Sequence, residues 1–286
     1  MRDTSNRWRM PVLLGAALAG AAYIYASRIE PGWVRVREMR VRLPRLDRAF
    51  HGYRLAHISD IHMGGAMTPA RLHDTVTLIN TLQPDLVAIT GDFVQDDPRA
   101  AGPHLAEALG ALRAPDGVVA VLGNHDYRCD AAAVRRMLAQ AAVRELPNTV
   151  HTLRRGAACL HIAGVDDIAT GRDNLDAVLD ALPPDGAAVL LAHEPDFADI
   201  SAPTGRFDLQ LSGHTHAGQI RLPFIGAPVL PSFGRFYDAG RYEINGMTQY
   251  TTSGLGTIWP HVRFNARPEV AVLLLEAGDD QTSGSP

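Results

Sequence analysis

Short apolar runs recur along this chain from Tyr53 onward, and they constrain the fold more than any other feature of the sequence. The runs are rich in Val, Leu, Ile and Ala and have the length of buried strands, while helical patterns lie between several of them. Strands that alternate with helices predict an α/β fold. The most apolar predicted strands are residues 53–59, 85–90, 118–122, 187–191 and 209–211.

Each of these five predicted strands is followed at once by side chains that can bind a metal. In an open α/β sheet, ligands bind at the carboxyl ends of the strands. One histidine or aspartate at a strand end is more often structural, but five successive strand ends of this kind are hard to obtain by chance. We therefore predict one joint metal site. Its candidate ligands are Asp60, His62, Asp92, Asn124, His193, His214 and His216.

Spacing and donor type indicate what this site holds. Side chains two positions apart on an extended chain point the same way, so we expect Asp60 and His62 to reach one metal, and His214 and His216 to do the same. Carboxylate, imidazole and amide donors suit Zn, Mn, Fe or Co. The candidates are too numerous for a single ion, which predicts two metals with Asp92 between them. Paired metals of this kind favour an anionic substrate and displacement at phosphorus.

Composition excludes several rival sites. All 27 basic residues are arginines, so an amidohydrolase-type centre built on a carbamylated lysine is impossible. The run from His214 to Gln219 does not continue as the His-x-His-x-Asp-His motif of metallo-β-lactamases. Cys129 and Cys159 are too few for a disulfide framework or a cysteine-rich zinc site. A net charge of -4 argues against nucleic acid as a partner.

The N-terminal part of the chain predicts a membrane anchor. Residues 10–26 are free of charge and follow a basic start, which favours an uncleaved anchor over a signal peptide or a buried helix. We expect residues 1–27 to form this anchor and 28–50 an Arg-rich strand segment next to the membrane. The catalytic domain is then 51–277, with a disordered tail at 278–286. The expected location is the cell (inner) membrane, and the more basic C-terminal flank favours a domain facing the cytoplasm.

The motif blocks resemble the calcineurin-like metallophosphoesterases. The resemblance is carried by Asp60-Ile61-His62, Gly91-Asp92, Gly123-Asn124-His125-Asp126, His193 and Gly213-His214-Thr215-His216, and it spans residues 53–275. It is greatest for the membrane-associated bacterial branch of the YkuE and YaeI type, which includes UDP-2,3-diacylglucosamine hydrolases. The resemblance implies an α/β four-layer sandwich, in which two mixed β-sheets are flanked by helices.

The resemblance also implies roles for single residues. Asp60, His62 and His216 would hold the first divalent metal, and Asn124, His193 and His214 the second, with Asp92 between them. His125 would contact the phosphate and protonate the leaving oxygen, with Asp126 orienting it. The family often has an acidic residue three positions after the bridging aspartate, where this chain has Gln95.

We accordingly expect a metal-dependent phosphoesterase tethered to the membrane, with a monomer favoured. The leading substrate is UDP-2,3-diacylglucosamine, whose pyrophosphate is cleaved in lipid A biosynthesis. A general phosphodiesterase on soluble or cell-envelope substrates is the alternative, and a non-catalytic scaffold is the least favoured. Two groups of residues after the last ligands remain open: arginines that meet phosphate or solvent, and apolar residues that line an acyl groove or the core. They are Arg221, Arg235 and Arg241, and Phe224, Ile225, Phe233, Phe236 and Tyr237.

Overall fold

Two six-stranded sheets form the centre of the computed structural model, which describes residues 9–278. The first sheet has the spatial order β1 (Arg35–Leu43), β12 (Glu269–Ala277), β2 (Tyr53–Ile58), β3 (Leu86–Thr90), β4 (Val118–Val121) and β5 (Arg144–Glu145). The second has the order β10 (Gly240–Ile244), β11 (Met247–Thr251), β9 (Leu209–Ser212), β8 (Ala187–Leu191), β7 (Ala158–Gly164) and β6 (Thr149–Arg155).

Both sheets are mixed, as predicted. Neighbouring strands of the first sheet run parallel except β12 and β2, and the second sheet is parallel from β11 to β7 with antiparallel strands at both edges. Successive strand side chains point to opposite faces, so Leu86 and Ala88 pack between the sheets while Val87 and Ile89 pack under the helices. This burial on both faces explains the continuous apolar runs.

Helices cover the outer face of each sheet and complete the predicted four layers. Apolar side chains on the first outer face pack with α2, α3 and α5, and those on the second pack with α6 and α7. The helices are α2 (Pro69–Thr81), α3 (Pro98–Gly110), α4 (Asn124–Cys129), α5 (Ala131–Gln140), α6 (Leu175–Ala181) and α7 (Ala198–Ser201).

Helix starts follow the local caps. Thr68 caps α2 by accepting the N–H of Arg71, with Pro69 at the first helical position. Asp97 caps α3 by accepting the N–H of Arg99, and Pro103 lies inside that helix. The segment after β4 forms the short helix α4.

The N-terminal segment is one apolar helix that leads into the first sheet. Helix α1 (Arg9–Ile24) continues through a π-helical turn and a 3₁₀ turn, and 10–32 are long and apolar enough to cross a membrane by length and composition. The expected Arg-rich strand segment contains one strand, β1, which pairs with β12, so this segment belongs to the first sheet. The residues before Arg9, and the expected tail beyond Gly278, lie outside the described residues.

Candidate metal centre

The seven predicted ligands all lie at the carboxyl-end edge of the sandwich, where the strand ends of both sheets face each other. Asp60 and His62 follow β2, Asp92 follows β3 and Asn124 opens α4 after β4. The remaining three follow β8 and β9 of the second sheet. All except His214 are buried, with relative exposures of at most 3%. The geometry of two interleaved clusters shows how these side chains meet.

The backbone places these side chains in an unexpected way. Asp60 (φ 52°), His62 (φ 45°), Asp92 (φ 55°), His214 (φ 68°) and His216 (φ 52°) all lie in the left-handed region. The expectation of an extended chain through Asp60–His62 and His214–His216 is therefore wrong. Asp60 and His62 do lie in one cluster, whereas His214 and His216 lie in different clusters. Residues other than glycine held in sparse regions of φ/ψ space cost about 1–3 kcal/mol each and tend to gather at functional sites.

The first cluster consists of Asp60, His62 and His216. The Nε2 atoms of the two imidazoles are 3.1 Å apart, and His216 Nε2 lies 3.4 Å from Asp60 Oδ1. The Nδ1 atoms of both rings are buried and have no hydrogen-bond partner. A ring that binds a cation through Nε2 carries its hydrogen on Nδ1. These facing Nε2 atoms beside a carboxylate fit a divalent metal.

The second cluster contains His193 and His214, and hydrogen bonds fix the tautomers of both imidazoles. His193 Nδ1 lies 2.6 Å from the carbonyl oxygen of Thr90, and His214 Nε2 lies 2.8 Å from that of Ser232. Each of these nitrogens must donate, because a carbonyl oxygen only accepts. In the neutral rings, the lone pairs of His193 Nε2 and His214 Nδ1 then face each other at 3.2 Å. Two facing lone pairs fit a cation placed between them.

Asp92 connects the two clusters. Its Oδ2 lies 3.4 Å from His62 Nε2 and 3.3 Å from His193 Nε2, so a single oxygen faces a ligand of each cluster. Burial opposes charge on both Asp92 and His193, but their mutual attraction outweighs it, lowering the pKa of Asp92 and raising that of His193.

The amide of Asn124 has two competing orientations. One end lies 3.1 Å from His214 Nδ1, and the other lies 2.9 Å and 3.1 Å from the guanidinium nitrogens of Arg128. With its nitrogen toward His214, the amide accepts hydrogen bonds from Arg128. With its oxygen toward the histidines, it can bind a metal there. Arg128 was not predicted, and its position one helical turn after Asn124 is apparent only once α4 is known.

His125 lies beside the clusters without joining them. Its ring packs edge-on against that of His62, with centroids 4.7 Å apart, and its backbone N–H donates to Asp92 Oδ1. The side chain lines the adjoining cavity. Burial lowers the pKa of His125, and the charge of Asp92 partly offsets this effect.

Asp126 does not orient His125 as expected. Its buried carboxylate instead accepts the backbone N–H groups of Asp92, Phe93, Val94 and Gly123, at 2.8–3.4 Å. Burial and the nearby Asp92 raise the pKa of Asp126 to about 7, against the lowering effect of these backbone donors. The contacts hold together the two segments that carry Asp92 and Asn124.

Glycines allow the segments to approach closely, as Gly123 and Gly213 show. A Cβ on Gly123 would lie 2.4 Å from Asp92 Oδ1 and 2.7 Å from His193 Cε1. A Cβ on Gly213 would lie 2.3 Å from Asp60 Oδ2. Both positions therefore require glycine for steric reasons, which explains the Gly-Asn-His and Gly-His motifs.

Glu194 is a buried acid near the second cluster that sequence reasoning missed. Its carboxylate lies within 4.8 Å of ligand atoms of His193 and His214, and its Oε1 has no hydrogen-bond partner. Burial raises the pKa of Glu194 well above its usual value, despite the opposing charge of His193. The signal in the sequence was its place next to His193 at the end of β8.

A cavity of about 820 Å³ opens beside the clusters. Its polar lining residues include Asp92, His125 and Arg128, and its large aromatic ones are Phe233 and Trp259. The remaining lining residues include Ile220, Pro228, Val229, Leu230, Pro231, Ile258 and Pro260. The cavity therefore combines charged and polar groups of the clusters with many apolar side chains.

The two undecided groups of residues now have positions. Arg221 forms an ion pair with Asp238 at 2.6 Å, and Arg241 forms one with Glu243 at 2.6 Å, while Arg235 is exposed. Four of the apolar residues are exposed, which excludes core packing for them: Phe224, Ile225, Phe233 and Phe236. The fifth, Tyr237, is partly buried and packs against the core under the second sheet.

Comparison with known proteins identifies a family and several relatives of this chain. Residues 53–218 match the family described as calcineurin-like phosphoesterase. The chain is 34% identical over 267 residues to the uncharacterized metallophosphoesterase YkuE of Bacillus subtilis, covering 92% of this chain and 93% of that one. It is 28% identical over 274 residues to phosphodiesterase YaeI of Escherichia coli, covering 95% and 99%. A Bos taurus transmembrane protein with metallophosphoesterase domain is 32% identical over 261 residues, covering 85% and 57%.

Proposed function

The chain belongs to the calcineurin-like phosphoesterase family and is a metal-dependent phosphoester hydrolase, and on that basis we propose that it cleaves a lipid-borne phosphodiester or pyrophosphate at the membrane. UDP-2,3-diacylglucosamine is the leading substrate. The observation that carries this proposal is the cavity whose lining combines His125 and Arg128 with the apolar side chains of Phe233 and Trp259. A substrate that carries both a phosphate group and an acyl chain would meet both kinds of residue there.

The ligand assignment is part of the proposal. Asp60, His62 and His216 would hold one divalent metal, and Asn124, His193 and His214 would hold the other. Asp92 would contribute to both, in keeping with the 3.4 Å and 3.3 Å distances from its Oδ2 to His62 and His193. Two divalent ions in such a site supply an activated water and neutralise charge in a displacement at phosphorus. The donor set does not discriminate among Mn, Zn, Fe and Co.

His125 and Asp126 have different tasks in this scheme. The His125 ring lies on the cavity side of His62, where it can donate a proton to the leaving oxygen of the substrate. An anionic phosphate next to this ring favours the protonated form and so counteracts the lowering of its pKa by burial. Asp126 acts as a positioning residue, because its backbone contacts fix the segments of Asp92 and Asn124. Arg128 at the cavity wall provides a positive charge for the phosphate.

The membrane part of the proposal rests on the N-terminal segment. Residues 10–32 form a candidate span, and transmembrane relatives fit a membrane-anchored enzyme. We assign residues 1–27 to the anchor, 28–50 to the strand segment that follows and 51–277 to the catalytic domain, with the domain on the cytoplasmic side of the inner membrane. Protease treatment of intact cells and of inverted vesicles tests this orientation. Cleavage of the domain in intact cells places it outside.

The second candidate is a general phosphodiesterase, favoured by the name of the Escherichia coli relative. The two candidates are separated by metal-loaded protein assayed on UDP-2,3-diacylglucosamine and on a panel of phosphodiesters that lack acyl chains. The proposal predicts cleavage of the lipid nucleotide with the highest kcat/KM. Cleavage of the soluble diesters alone would leave the general phosphodiesterase, and no cleavage of either would point to a scaffold.

A further inference from the structure

A tight turn projects two bare apolar side chains close to the cavity. Backbone hydrogen bonds in both directions between Leu222 and Gly226 close the turn, each at 2.9 Å. At its end, Phe224 is fully exposed and Ile225 is 72% exposed. We call these two residues the apolar tip. Single exposed apolar residues are ordinary on protein surfaces, but two bulky ones at the end of a tight turn, near exposed Val229, form a patch that points to a partner.

The apolar tip does not belong to the cavity itself. Neither Phe224 nor Ile225 lines the cavity, whereas Val229 and Phe233 farther along the same segment do. Gly218 lies against the return of this segment, since a Cβ there would lie 2.3 Å from Ala227 Cβ. The segment therefore folds back onto the cavity wall, and the tip is the part that extends beyond it.

Backbone contacts connect this turn to the end of the candidate membrane span. The carbonyl of Ala26, inside the span of residues 10–32, accepts the N–H of Arg263 at 2.8 Å. Phe264 then donates its N–H to Gln219 and accepts that of Arg221, at 2.9 Å and 2.8 Å. Its ring also contacts Tyr25 edge-on, with centroids 6.4 Å apart.

Two buried ionisable side chains, Glu30 and Arg263, stabilise the contact between the span and the catalytic domain. The carboxylate of Glu30, which is fully buried, accepts the N–H groups of Asn265 and Ala266 at 3.0 Å and 2.6 Å. Arg263 is also fully buried, and its guanidinium donates to four carbonyl oxygens, among them those of Gly254 and Gly256. The end of the span is thus docked on the catalytic domain and is not joined to it by a free linker.

This connection limits where the tip can lie. Phe224 lies three residues after Arg221, and three residues of extended chain span at most about 11 Å. The backbone N–H of Arg221 is hydrogen-bonded to Phe264, so the tip lies within about 11 Å of a residue that contacts the docked segment. Given the membrane anchor proposed above, we propose that Phe224 and Ile225 insert into the lipid surface beside the span. They form a second membrane contact that holds the adjoining wall of the cavity near the bilayer. The occupant of the patch is therefore lipid, and a second copy of the chain is the alternative that the experiment tests.

Photo-crosslinking of the full-length chain tests the insertion directly. The chain is placed in nanodiscs of phosphatidylethanolamine and phosphatidylglycerol, with Phe224 replaced by photoreactive p-benzoylphenylalanine. The matched control carries this residue at exposed Arg113, in the turn that leads to the amino end of β4, at the opposite edge of the sheet. Mass spectrometry should find a phospholipid adduct at position 224 and none at 113. Crosslinks to another protein copy, no adduct at 224, or equal lipid adducts at both positions would overturn the proposal.

A kinetic comparison gives a second readout. The double variant Phe224→Asp/Ile225→Asp should hydrolyse soluble bis-p-nitrophenyl phosphate at the wild-type rate. On a lipid-borne substrate in vesicles, its kcat/KM should fall at least about tenfold, since burying one such side chain is worth about that factor or more. Ile200→Asp, at an exposed apolar residue of α7, should change neither rate. Equal losses on both substrates, or no loss on either, would contradict the inserted tip.

The two proposals fail in different ways. If the wild-type enzyme cleaves only soluble diesters while position 224 crosslinks to lipid, the substrate proposal fails and the membrane contact stands. If the lipid substrate is cleaved but the lipid adduct is missing, the membrane contact fails and the substrate proposal stands.

Discussion

Replacing Asp126 by asparagine removes an acceptor that four backbone N–H groups share. Oδ1 accepts from Phe93 and Val94, and Oδ2 accepts from Asp92 and Gly123. An asparagine keeps one oxygen and turns an amide nitrogen toward the other two donors, which are buried. Each stranded donor costs about 1–3 kcal/mol, so Asp126→Asn should lower the free energy of unfolding by about 2–6 kcal/mol.

Function should fall together with stability, because the same contacts fix the backbone of Asp92. Loss of such a supporting contact typically costs about 10–100-fold in metal affinity or activity. Urea unfolding and hydrolysis of bis-p-nitrophenyl phosphate measure the two effects on one preparation. Asp130→Asn is the matched control, because Asp130 caps α5 through Ala133 and asparagine caps helices equally well.

The result that would refute this reasoning is a stable but inactive Asp126→Asn variant. Full stability with lost activity would mean that Asp126 acts on the chemistry through His125, as the motif alone suggested. Full stability with full activity would mean that the backbone donors find other partners. A loss of stability in the Asp130→Asn control would show that the substitution itself is disruptive.

Three further outcomes follow from the site. His125→Ala should lower kcat on bis-p-nitrophenyl phosphate by about 10²–10⁴-fold, with unchanged metal content and thermal midpoint, and an undiminished rate would remove His125 as the acid. Gly123→Ala should weaken metal binding, measured by titration calorimetry, because its Cβ would lie 2.4 Å from Asp92 Oδ1, whereas Gly110→Ala, with its nearest neighbour at 3.8 Å, should not. Chelation should lower the thermal midpoint and Mn²⁺ should restore it, since a metal that binds only the folded state stabilises it, and a midpoint indifferent to both would contradict the metal centre.

The features that could be predicted from the sequence are those that short continuous segments encode. Apolar runs such as Val118–Val121 show a buried strand, and the polar residues that follow them show which edge binds a ligand. Parallel strands bring those ends together, so the seven ligand candidates could be selected without any distance information. Backbone conformations do not follow from these patterns, so the left-handed Asp60 and His62 contradict the extended chain that their spacing predicted.

What sequence reasoning missed depends on short elements and distant contacts. Helix α4 has six residues, too few for a visible helical period, and it starts after Gly123, which offers no side-chain cap. Without α4, the proximity of Arg128 to Asn124 could not be inferred. Asp126 contacts backbone groups 32–34 residues earlier in the chain, and no local pattern encodes such a contact.

Docking of the N-terminal helix was also beyond sequence reasoning. The pattern of residues 10–26 predicts an apolar helix, but the buried carboxylate of Glu30 and the guanidinium of Arg263 are far apart in sequence. Their partners are backbone groups of one loop, which no residue pattern marks. The link between the span and the cavity therefore emerges only from the folded chain.

Anomalous diffraction from crystals of the full-length protein loaded with Mn²⁺ tests the two-metal centre most directly. Two peaks that share Asp92 are expected, one bonded to Asp60, His62 and His216 and the other to Asn124, His193 and His214. The oxygen of Asn124 should face the second peak, and His125 should point past both metals. A single peak, or two peaks that do not share Asp92, would contradict the two-metal centre.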